Sequence, residues 1–345
     1  MKRLISFIPL IVLGLLVTAV AVGAVGKPIV VQLGTHRFDR TSAGTVVAHA
    51  GPTRVGWQLP NGDASAFGPQ TFLVGKDRSI WLDDGLNNRL LVWQPGHQGS
   101  VARTVPLPFA TADSEVALGP AGSIYTTRTL GNGRDRTYRL VLDRQTATGK
   151  LIWEMRLPSV GGEFCGRLRL GPGGTLYCVG MRETWIPVAT PTGQPISAVE
   201  QRRRKGPEPV GGGLRLVTHV FAPVGAGHSV RFALVDRHGS VVRRWRVNSR
   251  SPIAGARTLG VIGRQPVVLL DIQNLKRRPV AWEYVVLRLC AHGAVARLSV
   301  RHAVYGDNLL ADVRVGPDGR LYQLRTNPKT GVSIARYSLQ PRKES

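Results

Sequence analysis

Four stretches of the chain set short apolar runs on either side of one kind of turn. They are Thr71–Leu82 (TFLVGKDRSIWL), Glu115–Thr126 (EVALGPAGSIYT), Arg167–Cys178 (RLRLGPGGTLYC) and Asp312–Gln323 (DVRVGPDGRLYQ). In each, an apolar run meets Gly and a tight turn, then a second run that carries an aromatic. Gly-Pro-x-Gly tolerates the backbone angles that reverse a chain, and the β-branched and aromatic residues after it favour a strand. A third strand is predicted from Arg89, Thr137, Ala281 and Val332, and a fourth from Val101, Leu151, Val241 and Val295. Polar and apolar residues alternate along them, the pattern of half-buried antiparallel strands.

Ile80, Ile124, Leu176 and Leu321 open the second strand of the four units, at spacings of 44, 52 and 145 residues. The last spacing is about three periods of about 48, so two degenerate copies are expected between Leu176 and Leu321. The segments Val230–Asp236 and Val267–Asp271 are their expected positions. Four strands per repeat of this length describe a β-propeller blade. The expected fold is all-β: a six-bladed β-propeller of four-stranded antiparallel blades over 64–340, preceded by one N-terminal hydrophobic helix. Strands from Thr45 and Val55, within 27–63, are expected to complete the last blade and close the ring, which removes exposed edges. A two-domain sandwich does not explain the recurring turn.

Residues 4–26 are 23 consecutive uncharged residues behind Met1-Lys2-Arg3. About 20 apolar residues cross a bilayer as a helix, and the run exceeds the apolar core of a usual signal peptide. Ala19, Ala21 and Ala24 still offer cleavage sites. The segment 1–26 is therefore expected to be a signal peptide or a transmembrane anchor. Either sends the rest of the chain out of the cytoplasm, anchored or, after cleavage, secreted. Residues 341–345 form a basic C-terminal tail.

Charge changes the picture next. The chain has 345 residues with 46 Lys+Arg against 21 Asp+Glu, a net +25, and arginine supplies 38 of the basic residues. Such a field attracts anionic membranes, acidic glycans or nucleic acid. The charge is scattered, and its one compact run, Arg202 to Lys205, reads as a loop. No helix-turn-helix, zinc-finger or RNA-binding signature accompanies it, so nucleic acid is not an expected partner. An anionic cell-envelope component or a protein is. With 43% hydrophobic residues the chain is neither disordered nor a multi-span membrane protein.

Of three cysteines, Cys165 and Cys178 flank the Gly171 turn. A symmetric hairpin places Arg167 opposite Cys178, so a Cys165–Cys178 disulfide needs a diagonal pairing or a bulge. Cys290 is left over, and no set of zinc ligands is spaced around these residues.

Within the first unit, Ser79-Ile80-Trp81, then Asp84, Asn87 and Arg89, then Leu90-Leu91-Val92-Trp93 resemble a repeat of the NHL family of propellers. The resemblance implies a propeller architecture and a mainly structural role for the polar set Asp83, Asp84, Asn87, Asn88 and Arg89. The second unit departs from it with Thr126-Thr127-Arg128, and the last with Arg325-Thr326-Asn327. Propellers of this broad kind include ligand-binding modules, lactonases with a calcium-type site, and lyases.

The position four residues before each turn glycine holds Thr71, Glu115, Arg167 and Asp312, with Arg257 in the corresponding place of the fifth unit. Polar residues there suit a channel lining. Two functions follow. In one, Arg167 and Arg257 bind a ligand and no catalysis is assignable. In the other, a lactonase or lyase uses Glu115 and Asp312, with calcium or another divalent cation held by their oxygens, and His219 as acid or base. Without these, Glu115 and Asp312 pair with arginines inside a solvated channel.

Overall fold

The four repeated turns fold alike, and they set the architecture. In the computed structural model, which describes residues 27–339 except 39–40, 62–65, 70, 108–114, 133–136, 158–164, 181–182, 221–226, 275–280 and 306–311, the amide of each motif glycine donates to the carbonyl four residues on. The bonds are Gly75 to Ser79 at 2.8 Å, Gly119 to Ser123 at 2.7 Å, Gly171 to Thr175 at 2.9 Å and Gly316 to Arg320 at 2.8 Å. The positive φ falls later, on Gly122, Gly174 and Gly319, and on Arg78 in the first unit. The first glycine is needed for another reason. A Cβ on Gly119, Gly171 or Gly316 would collide with the ring of Tyr125, Tyr177 or Tyr322, so glycine and aromatic form one packing unit.

Strands β1 (Ile29–Gln32) and β2 (Thr45–Ala50) come first. One meander follows of β3 (Phe72–Val74), β4 (Ile80–Asp84), β5 (Arg89–Trp93) and β6 (Arg103–Pro106). The next holds β7 (Val116–Leu118), β8 (Ile124–Asn132), β9 (Thr137–Gln145) and β10 (Leu151–Arg156). A three-stranded sheet of β11 (Cys165–Leu170), β12 (Leu176–Gly180) and β13 (Trp185–Ala189) precedes helix α1 (Ala198–Arg204). Then come β14 (Glu208–Gly211), β15 (Leu214–Val220), β16 (Gly227–Val235), β17 (Val241–Ile262), β18 (Gln265–Asn274), β19 (Ala281–Cys290) and β20 (Gly293–Arg301). These seven pair in that order, and β1 joins β17 in parallel. The last sheet runs β21 (Val313–Val315), β22 (Leu321–Asn327), β23 (Gly331–Tyr337) and then β2, from the far end of the chain.

The 22-residue β17 serves twice: residues 241–248 pair with β16, and residues 255–262 pair with β18. The fold is all-β and mostly antiparallel, in a propeller-like arrangement. The strands β3, β7, β11, the second half of β17, and β21 line one central cavity. Apolar clusters fill the spaces between neighbouring sheets. Trp81, Leu90 and Val92 pack with Val116 and Ile124, and Phe72, Leu82 and Trp93 pack with Tyr322, Leu324 and Ile334, joining first sheet to last.

Several expectations are corrected. Val55 to Pro60 forms no strand: Pro52 opens a 3-10 turn, and only Gln58 bridges, to Phe67. The run Arg202 to Arg204 is not a loop but the last turn of α1. Its Ser197 cap accepts from the Glu200 amide, and its arginines sit where the helix dipole favours cations. The segment from Val230 lies on β16 up to Val235, the third strand of its sheet, because the preceding hairpin turns on Gly211, Gly212 and Gly213, all at positive φ, without the Gly-Pro motif. In the Gly171 hairpin, Leu168 rather than Arg167 faces Cys178, Cys165 faces Gly180, and a register shift lies between Cys165 and Arg167. Cys165 and Cys178, with Cα atoms 5.3 Å apart, are joined as a disulfide, while Cys290 is free and buried. Residues 1–26 and 341–345 lie outside the described residues. Among the described residues, no helix is long and apolar enough to cross a membrane.

Candidate functional site

Register makes the predicted positions equivalent. The carbonyls of Thr71, Glu115 and Asp312 accept from Asp83, Thr127 and Leu324, extending each inner hairpin by one residue in the same way. Alternation then puts the residue two further on, Arg169 after Arg167 and Arg314 after Asp312, on the same face. The central cavity is about 200 Å³ and is lined by Arg167, Arg169, Arg257 and Arg314 among apolar residues such as Leu73 and Ala117.

Each carboxylate meets a guanidinium there. Asp312 Oδ1 accepts from Arg257 Nη2 at 2.8 Å. Glu115 Oε2 accepts from the Leu168 amide at 3.3 Å and lies 3.7 Å from both Arg169 Nη1 and Arg314 Nη2. Arg167 pairs with Glu183. Arg314 Nη2 donates to Thr71 Oγ1 at 2.8 Å, and Arg169 Nη1 donates to the Leu168 carbonyl at 2.7 Å. Glu115 Oε1, Asp312 Oδ2 and the Nε atoms of Arg257 and Arg314 are buried without a partner. Burial pulls Arg169 well below the ordinary arginine value, and repulsion from Arg314 adds to it against the pull of Glu115. Arg314 is lowered too, again by burial, with Glu115 opposing.

The structure therefore brings Arg167 and Arg257 to the cavity wall, while the buried Glu115 and Asp312 stand on separate arginines beside it instead of converging. Among the described residues, no group of three or more His, Cys, Asp or Glu side chains gathers as a metal site. A hard cation needs several free oxygens, and this donor set does not fit one. His219 sits on β15 opposite Arg231, the second strand of its sheet and not the inner one; its side chain lies outside the described residues. The polar set after β4 holds a loop. Asp84 accepts from Asn87 Nδ2, Arg89 Nε and the Gly56 amide, each at 2.8 Å.

Sequence reasoning missed Arg169 and Arg314, although both lie in the repeated motif. Period-two counting from Arg167 and Asp312 finds them. It also missed Glu208, on the unrecognised strand β14. Glu208 lines a second cavity, about 230 Å³, with Glu183, Trp185 and Thr258. Burial pushes its carboxyl up to about 7, with Glu183 adding to the rise and Thr258, Arg169 and Arg167 opposing it. Burial likewise takes Asp271 up to about 6, against Arg257.

A raised folded-state pKa means that the stability tied to the Glu208 proton is fully present below its ordinary value of 4.5 and is lost as pH rises through about 7. Glu208→Gln, which cannot ionise, should match the native chain at pH 4 and be more stable at pH 8. The gain is on the order of 3 kcal/mol. Denaturant unfolding of both proteins across that range checks it, and a pH-independent difference would refute it.

No family model and no curated protein matches the chain. Solved structures do resemble it in part. A streptogramin B lyase is 16% identical, with 78% of each chain covered and a TM-score of 0.38. Virginiamycin B lyase from Staphylococcus aureus, a catalytically inactive form with quinupristin, is 14% identical over 81% of this chain and 83% of that one, at 0.38. The PQQ-bound aldose sugar dehydrogenase from Streptomyces coelicolor is 13% identical over 83% and 99%, at 0.41. At such values neither ligand nor activity carries over.

Proposed function

We propose that the protein is an extracytoplasmic six-bladed propeller that binds an anionic cell-envelope component through its channel and performs no divalent-cation chemistry there. One observation carries the reading: Glu115 and Asp312, the acids a cation would need, already face guanidinium groups, and four arginines line the cavity. Counting the two halves of β17 in separate blades supports the number six, with α1 standing where the third blade has no fourth strand. The apolar run of residues 4–26 supports export and anchoring at the membrane.

The test is metal content. The full chain, purified in neutral detergent with millimolar calcium and magnesium and then desalted, should retain well under one divalent ion per molecule, and its melting temperature should not respond to either ion. One tightly held ion per chain, lost in Glu115→Gln or Asp312→Asn, would overturn the proposal and make ester and lactone substrates the next assay.

A further inference from the structure

Resting on that binding reading, the geometry points to an oxyanion site in the channel: the space between Arg169 and Arg314, flanked by Arg167 and Arg257, takes a phosphate or carboxylate group of the ligand. Inner strands of three sheets bring these four guanidinium groups to one cavity of about 200 Å³. Their acids are unevenly shared. Asp312 neutralises Arg257, and Glu183 neutralises Arg167. Among the described residues, Glu115 is the acid that faces both Arg169 and Arg314, at 3.7 Å from each. That separation exceeds a hydrogen bond, and one carboxylate offsets only one of the two cations.

Between Arg169 and Arg314 the guanidinium charge exceeds that of the one carboxylate they share, in a largely buried place where an unpaired ion is costly. Donors are left over as well. Arg314 gives one N–H to Thr71 and Arg169 one to the Leu168 carbonyl, while Nε of Arg257 and of Arg314 is buried with no acceptor. An oxyanion supplies both the missing charge and the missing acceptors, and the planar guanidinium fork matches phosphate and carboxylate geometry. Of the other acids, Asp271 adds its charge on the Arg257 side, and Glu208, near Arg167 and Arg169, is pushed up by burial to about 7 and carries its full charge only above that.

Calorimetric titration of the metal-free full chain in neutral detergent, with inorganic phosphate and separately with citrate at fixed ionic strength, tests the site. Saturable one-to-one binding of at least one probe is expected, and the tighter probe tells a phosphate ligand from a carboxylate one. Arg169→Gln or Arg314→Gln should weaken it tenfold or more, while Arg203→Gln, on the exposed face of α1, should leave it unchanged. Glu115 keeps one arginine in either channel variant, and a native circular dichroism spectrum verifies the fold. Arg169→Lys, which keeps the charge and loses the fork, should fall between native and Gln. No saturable binding of either probe, or equal weakening by Arg203→Gln, overturns the site. A stoichiometric metal on Glu115 or Asp312 would instead sink the binding reading beneath it.

Discussion

Glu115→Gln should lower the stability of the protein by about 3 to 5 kcal/mol, because it strips from two largely buried arginines the carboxylate that, among the described residues, lies within 4 Å of both. Glutamine keeps an acceptor for the Leu168 amide, so the loss isolates charge. Arg169 and Arg314 would then face each other across the channel with Thr71 and a backbone carbonyl as their remaining partners. For a chain of this size a fall of roughly 10 °C in melting temperature is expected. Glu200→Gln is the control: it breaks an exposed helix pair with Arg203 and should change stability by less than about 1 kcal/mol. The double variant Glu115→Gln, Arg169→Gln restores one-sided balance and should recover part of the loss. A single-variant shift no larger than the control's would show that the channel charges are solvated and uncoupled.

Gly331→Ala is expected to loosen β2 from the last sheet. Gly331 has φ +92°, a region costly to a residue with a side chain, and its missing Cβ would overlap the Ala50 carbonyl and come within 2.7 Å of the Gly51 carbonyl carbon. Those are backbone atoms at the end of β2, where Ala50 pairs with Val332 on β23, so no side-chain rotation relieves the clash. Strain plus overpacking amounts to roughly 2 to 5 kcal/mol, and it falls on the strand that seals the last sheet. Hydrogen exchange should quicken first in β2 and β23, and the bared edge should promote aggregation. Unchanged exchange in these two strands would mean that the closure is not strained by the methyl.

The repeat was legible because its turn is demanding. Glycine must stand where the aromatic ring passes, and a second residue must take positive φ, so Gly-Pro-x-Gly and the following Tyr recur in the sequence. The sheets of β14 to β20 were harder to read. Their hairpins turn on Gly211 to Gly213 or on Gly263 and pack no aromatic against the turn, so nothing fixes a repeated letter there. Alignment on the turn made Arg167 and Arg257 of the cavity lining legible, with the acids Glu115 and Asp312 at equivalent positions beside it. Which arginine answers which acid was not, because Glu115 meets Arg314 across almost two hundred positions of chain. Such pairings depend on how the sheets are set around the axis, and no local pattern encodes that. Glu208 had no signal at all: its ionisation follows from burial against Trp185 and Thr258, on other strands.

The double duty of β17 bears on how the molecule assembles. Elsewhere the sheets are short meanders of strands close along the chain, except that β2 joins the last sheet from the other end. From β14 to β20 the ladder is continuous, with Trp245 buried in the first half of β17 and donating to the carbonyl of Cys290 at 2.7 Å. The two halves share one backbone, and Ala256 of the second packs on the apolar cluster that holds Trp245 and Val247 of the first. This stretch is the natural cooperative unit of the chain, the last to unfold and the platform on which the smaller sheets dock.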